Sequence, residues 1–247
     1  MLFRSHPPPP FDTAGSGGDW RRFYASAGIG FGFYRGDYGE PGTTNSGSVP
    51  VYAKFEYVPV TFRVSVPYQV IDGAEGLREG DVDPTAGAGS STRHGIGDTT
   101  VSLMYSWYPK RKVLPSIDLK TKVKIPTASS KDIGTGHADV TFQFEMTKKI
   151  GQLGLFSSAS YRLKGGFYND IWLASTGAML KLNREIWLGV AYDFRESSTS
   201  TAGDSHEIGL FASLRLGAQR RIGPFAVFGL SENSPDWGLG ATFSYDF

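Results

Sequence analysis

Three observations predict an all-β fold, a single antiparallel β-barrel of about twelve strands that crosses a membrane. Apolar and polar residues alternate with period two along most of the chain, and helical 3.6-residue spacing appears nowhere with comparable strength. Glycine supplies 32 of 247 residues, close to twice its usual ~7 % share, which suits walls and turns rather than helices. The chain also carries 17 Phe, 12 Tyr and 5 Trp, and many of them sit at the ends of the apolar stripes. No run approaches the ~18 apolar residues of a membrane helix, but alternating strands average out in hydropathy and cross without one.

Composition removes several function classes. The 25 basic and 24 acidic residues leave a formal charge of +1, which fits neither a basic nucleic-acid binder nor a highly charged disordered chain. With no cysteine there is no disulfide, no thiolate-held zinc and no cysteine nucleophile. His6, His94, His137 and His206 are too scattered to suggest a metal cluster, and no cofactor is expected.

Residues 1–19 read as a disordered Pro/Gly-rich lead and residues 20–247 as the barrel. Pro7 to Pro10 favour polyproline II geometry, and the Gly/Ser cluster after them is flexible. The lead holds no apolar stretch of the ~7–15 residues a signal peptide needs, so the expectation is a signal removed or truncated.

The first strand, near 22–35, contains Gly28, Gly30 and Gly32 in the run G-I-G-F-G-F. A nucleotide loop would need a following helix and a Lys-Ser/Thr, so these glycines are read as a smooth patch on the lumen wall. Strands near 48–58 and 60–71 set Lys54, Glu56 and Arg63 against Phe55, Tyr57 and Tyr68. In 97–108, Val101, Leu103, Tyr105 and Trp107 oppose Thr100, Ser102, Met104 and Ser106. In 116–127, Ile117, Leu119, Thr121, Val123 and Ile125 oppose Asp118, Lys120, Lys122 and Lys124. In 138–149, Val140, Phe142, Phe144 and Met146 oppose Thr141, Gln143 and Glu145. Strands near 154–165 and 169–182 carry Arg162 and Lys164, then Trp172. In 185–196, Asp193 and Arg195 lie opposite Tyr192 and Phe194; in 206–218, Arg215 lies opposite Leu214 and Leu216. Strands near 222–231 and 236–247 complete the twelve.

Connections after the first, third, fifth and ninth strands are long: 36–47, 72–96, 128–137 and 197–205. The rest are short, including 166–168 and 232–235, which break the rhythm. Long loops on one rim and tight turns on the other characterise outer-membrane barrels, and an even strand count puts both termini on the short-turn, periplasmic rim. A soluble sandwich would leave open edges and give the apolar stripe a closed core. Aromatic ends on the apolar stripe suit the two membrane interfaces instead.

The last strand puts Trp237, Leu239, Ala241, Phe243, Tyr245 and Phe247 on one face, and the sequence ends on Phe247. Phe243, Tyr245 and Phe247 resemble the C-terminal assembly signal of bacterial outer-membrane proteins. The barrel-assembly machinery is therefore an expected partner, with outer-membrane lipid and lipopolysaccharide around the wall.

Three short motifs stand in order. Gly95-Ile96-Gly97-Asp98-Thr99-Thr100 opens one strand, Lys124-Ile125-Pro126-Thr127 closes the next, and Gly134-Thr135-Gly136-His137-Ala138-Asp139 precedes the one after; Val64-Ser65-Val66-Pro67-Tyr68 lies upstream and Tyr161-Arg162 downstream. Over residues 22–247 this order resembles the outer-membrane transporter family labelled "MetA-pathway of phenol degradation". Thr127-Ala128-Ser129 stands where that family often has a Gly. The resemblance implies a Gram-negative outer-membrane channel or transporter for small solutes, with aromatic compounds as one candidate class, and it supplies no catalytic residues to carry over. Physically the motifs are read as architecture. The glycines permit tight paths at the outer rim, Asp98 and Asp139 accept from loop N–H groups or pair with lumen cations, and Pro126 ends pairing at a strand tip.

The solute path is expected to be lined by Lys54, Glu56, Arg63, Asp118, Lys120, Lys122, Lys124, Glu145, Arg162, Lys164, Asp193, Arg195 and Arg215. Lys120, Lys122 and Lys124 project from one strand about 6.6–6.8 Å apart. A one-residue slip would put three ammonium groups into hydrocarbon at ~2–4 kcal/mol each near the midplane. The track either guides anionic solutes or forms a satisfied ion-pair network with the acids. Two other functions stay open. One is a plugged structural or surface-interaction barrel that makes contacts through loop 72–96. The other is a barrel enzyme using His137 with Asp139 or His206 with Asp204.

Overall fold

The computed structural model describes residues 23–39, 42–74, 77–78, 81–82, 90–111, 113–200 and 202–247. The lead of residues 1–19 lies outside them. The strands are β1 (Phe23–Gly36), β2 (Thr44–Tyr57), β3 (Val60–Ala74), β4 (Leu77–Arg78), β5 (Asp81–Val82), β6 (Ser90–Ile96), β7 (Thr99–Trp107), β8 (Ser116–Ile125), β9 (Asp139–Ile150), β10 (Leu153–Leu163), β11 (Ile171–Lys181), β12 (Ile186–Arg195), β13 (Ser205–Leu216), β14 (Arg220–Gly229) and β15 (Trp237–Asp246). Each wall strand pairs antiparallel with its sequence neighbour, and β1 pairs with β15 to close the ring. β6 and β7 both pair with β3 and form one stave interrupted at Gly97-Asp98. The wall therefore has twelve staves, while β4 and β5 form a small ribbon in the loop after β3.

Two boundaries differ from the sequence reading. The fourth stave begins at Ser90 rather than near 97, because Ser90–Ile96 pairs with the upper half of β3 although its residues are small, polar and cationic. The second strand begins at Thr44, since Ser46 and Ser48 line its inner face. The connections after the seventh and eleventh staves are longer than the sequence suggested, while 108–115 stands out as long on the short-turn rim. One rim carries 37–43, 75–89, 126–138, 164–170, 196–204 and 230–236; the other carries 58–59, 108–115, 151–152, 182–185 and 217–219.

Register assigns every strand two faces. The outer face is apolar and exposed: Leu103 is 54 % exposed, Leu119 53 % and Phe142 52 %. A folded chain does not offer water such a continuous belt; it is the wall of a transmembrane barrel, whose closed ring leaves no sheet edge for the lipid to meet. Aromatic pairs mark both ends of the belt. Phe23 with Phe55, Phe55 with Phe62, and Tyr245 with Phe247 lie at the short-turn end. Tyr161 with Trp172, Phe33 with Trp237, and Phe194 with His206 lie at the long-loop end.

The glycines of β1 are not a bare smooth patch: a Cβ at Gly30 would meet Pro50 at 3.0 Å and one at Gly32 would meet the Tyr34 ring at 3.1 Å, while Gly28 shares a pattern with glycines of other strands. Each of five inward glycines lies directly across from an aromatic residue: Gly28 from Tyr52, Gly238 from Tyr34, Gly240 from Phe225, Gly177 from Phe156, and Gly189 from Phe211. A Cβ at any of them would fall within 2.5 Å of its partner ring. The missing side chain lets a large ring lie against the wall instead of standing across the lumen.

Candidate functional site

The inner wall follows from the register. Lys120 lies between Met104 and Gln143, Lys122 between Ser102 and Thr141, and Lys124 between Thr100 and Asp139. Thr141 pairs with Arg162, and Ser102 with Arg63, so these cations share the inward face. The strongest charged neighbours of Lys122 are Arg162, Lys120 and Arg63, all cations. Arg63 lies over the Tyr52 ring at 3.9 Å, and the Arg162 Nε–H donates to Thr141 Oγ1 at 3.3 Å. Among the described residues, neither Lys120 nor Lys122 makes an ion pair within 4.0 Å. Glu145 and Asp118 act on Lys120 from farther away.

Lys124 is placed differently from its two neighbours. Its ammonium lies 3.1 Å from Asp139 and 3.6 Å from Asp98, and it donates to Thr135 Oγ1 at 2.7 Å. Asp98 also accepts from the Ala128 N–H at 2.9 Å, and Asp139 from the Gly165 N–H at 3.2 Å. Thr127 Oγ1 takes the Thr99 N–H at 2.8 Å, and Arg93 Nε donates to the Asp132 carbonyl at 3.0 Å. Ile133 is fully buried beneath these contacts. The three sequence motifs thus converge on one clamp that fastens loop 126–138 to the β6–β7 break. Gly134 is part of it, because a Cβ there would lie 2.9 Å from the Asp98 carboxylate.

The other long loops are knitted together. Asn233 donates to the Tyr38 carbonyl at 3.1 Å and accepts from the Gly203 N–H at 2.9 Å. The hydroxyls of Ser205, Ser231 and Ser234 meet within 3.0 Å. Burial pushes the Tyr38 phenol up, so it stays neutral in this knot.

The remaining expected residues spread around the wall. Lys54 pairs with Glu56 at 2.5 Å. Asp118 and Glu145 face each other across β8 and β9, as Asp193 and Glu207 do across β12 and β13. Lys164 lies over the Tyr168 ring at 4.4 Å, Arg195 is opposite Ser205, and Arg215 is opposite Arg221. Phe156, Met179, Trp187 and Ala191, with Phe211, pack into an apolar cluster on the inner wall. The sequence reading missed Arg93 and Arg221, which fell into regions read as a loop and a turn. Their signal was positional: each is two residues from another inward position.

Neither proposed His–Asp pair forms among the described residues. His206 Nδ1 meets the Tyr192 hydroxyl at 2.7 Å, while Asp204 accepts from the Ser197 N–H. Asp139 is held by Lys124 and Gly165, and His137 packs against Gly166.

Among solved structures, the chain is similar to an outer-membrane channel of the COG4313 group from Pseudomonas putida F1. That match has a TM-score of 0.72 at 12 % identity and covers 94 % of this chain and 99 % of the other. The KdgM porin matches with a TM-score of 0.56 at 8 % identity, over 89 % and 99 %. The β domain of the Bordetella autotransporter BrkA matches at 0.57 and 9 %, over 92 % and 100 %. No protein-family model and no curated protein sequence matches the chain. At these identities the likeness is one of fold, and that fold is the bacterial outer-membrane β-barrel.

Proposed function

We propose that the chain is a passive outer-membrane channel for small solutes, biased toward anions by Arg63, Lys120, Lys122 and Arg162. The observation that carries this reading is the grouping of these cations on one inner wall, with Lys120 and Lys122 lacking an ion-pair partner within 4.0 Å among the described residues. Unpaired lumen charge sets which ion enters a pore. Phe211 and Phe225, half-buried on the inner wall, offer apolar surface to an aromatic solute. In this reading the outer aromatic girdles contact lipid and lipopolysaccharide, and Phe243, Tyr245 and Phe247 address the barrel to its assembly machinery.

A plugged barrel is the second reading, favoured by the internal apolar cluster and by the clamped loop 126–138. Planar-bilayer recording of the purified protein separates the two. The channel gives stepwise currents and a reversal potential of anion preference in a KCl gradient. Electrical silence from protein shown to be folded would establish the plugged form instead.

A further inference from the structure

A second group of cations stands at the short-turn mouth and takes no part in the wall just described. Arg215 on β13 and Arg221 on β14 are direct cross-strand partners. Arg221 is also across from Ser244, which is across from Gly28 under the inward Tyr52 ring, so this face is the lumen face. Directly opposed residues sit about 4.5–5.5 Å apart at Cα, and like charges in that position repel.

The local counter-charge is small. Neither guanidinium makes an ion pair within 4.0 Å among the described residues, and Arg221 Nε is buried with no acceptor. The acids acting on Arg221 are Asp246 and Glu56, and Glu56 is engaged by Lys54. Beside Arg215, Glu185 accepts the Arg215 N–H through its carbonyl, and its carboxylate makes no ion pair within 4.0 Å among the described residues. A guanidinium presents its N–H groups as a planar fork that matches a carboxylate or phosphoryl group. An oxyanion between the two arginines would relieve their repulsion and give the Arg221 Nε–H an acceptor.

We propose that Arg215 and Arg221 form an oxyanion-binding site at the short-turn mouth, for the carboxylate or phosphoryl group of a small solute or for inorganic phosphate itself. The site rests on the channel reading only in requiring water at that mouth, and its test does not depend on conduction. Inorganic phosphate is titrated against the full-length protein in detergent and followed by phosphorus NMR line broadening, with heat-modifiable gel migration as the folding control.

The background carries Lys120→Gln and Lys122→Gln, which remove the mid-wall cations. Phosphate binding should persist there and weaken about tenfold or more when Arg215→Gln and Arg221→Gln are added. Arg215→Lys with Arg221→Lys should fall between, since charge remains and the fork is lost. Unchanged binding in the glutamine pair, or complete loss already in the lysine background, overturns the site. Binding that vanishes at physiological ionic strength in both proteins also overturns it, as diffuse attraction only. Malonate displacing phosphate supports a carboxylate ligand; failure to displace overturns that half and leaves phosphate. Phosphate binding in an electrically silent protein would sink the channel reading and keep this site.

Discussion

At the scale of single residues, the inner wall turns on two kinds of position, a glycine under a ring and a lysine between carboxylates. Gly177→Ala would place a Cβ 2.4 Å from both the Phe156 ring and the Val190 carbonyl, and Gly240→Ala would place one 2.2 Å from the Phe31 carbonyl. Each should destabilise by about 1–3 kcal/mol. Gly47 has nothing nearer than 4.0 Å, so Gly47→Ala should stay within about 0.5 kcal/mol. Urea unfolding in lipid vesicles reads the order; equal effects at all three would contradict the packing account. Lys124→Gln leaves Asp98, whose side chain is fully buried, and Asp139 without their cation. The expected cost is about 3–5 kcal/mol, partly recovered by adding Asp98→Asn. A wild-type unfolding midpoint for Lys124→Gln would show that the clamp contributes nothing.

At the scale of elements, the loops are fastened by few contacts and the staves by many. Asn233→Ala removes the hydrogen bonds to Tyr38 and Gly203. Protease cleavage within 37–43 and 196–204 should rise severalfold while the unfolding midpoint of the barrel holds, because the backbone ladder is untouched. If cleavage does not change, the loops are held by other contacts. This division also explains what the sequence made legible. Ile117 to Ile125 alternate so strongly with Asp118, Lys120, Lys122 and Lys124 that β8 and its facing could be read directly. Ser90–Ile96 has no such apolar stripe and is a strand only because β3 pairs with it. For the same reason Arg93 was missed, Arg221 was missed because it lies one residue before the strand read near 222–231, and the capture of Lys124 by Asp98 and Asp139 needed two loops to fold across one another. Asp98 and Asp139 do accept from loop N–H groups and pair with a cation, as expected, but Lys124 was expected on the solute path, and its place in a single clamp with them is a tertiary fact.

At the scale of the whole molecule, the closed ring, the exposed apolar belt and the two aromatic girdles describe one object that lipid surrounds. It should be β-rich in detergent and migrate differently on gels before and after boiling, since a closed barrel resists local opening; a helical circular dichroism spectrum would end this account. The Phe247 N–H donates to the Ala25 carbonyl at 2.9 Å while its side chain is 75 % exposed. Removing Phe247 should therefore lower outer-membrane assembly with limiting assembly machinery far more than it lowers the stability of refolded protein. Normal assembly would contradict the proposal that it is a signal. The central claim is that the lumen conducts and that its cations choose the ion. The most direct test is the reversal potential across a KCl gradient, compared between the wild type and Lys120→Glu/Lys122→Glu. The account predicts an anion-preferring wild type and a shift toward cation preference in a folded, conducting variant. An identical reversal potential in the two proteins would contradict it.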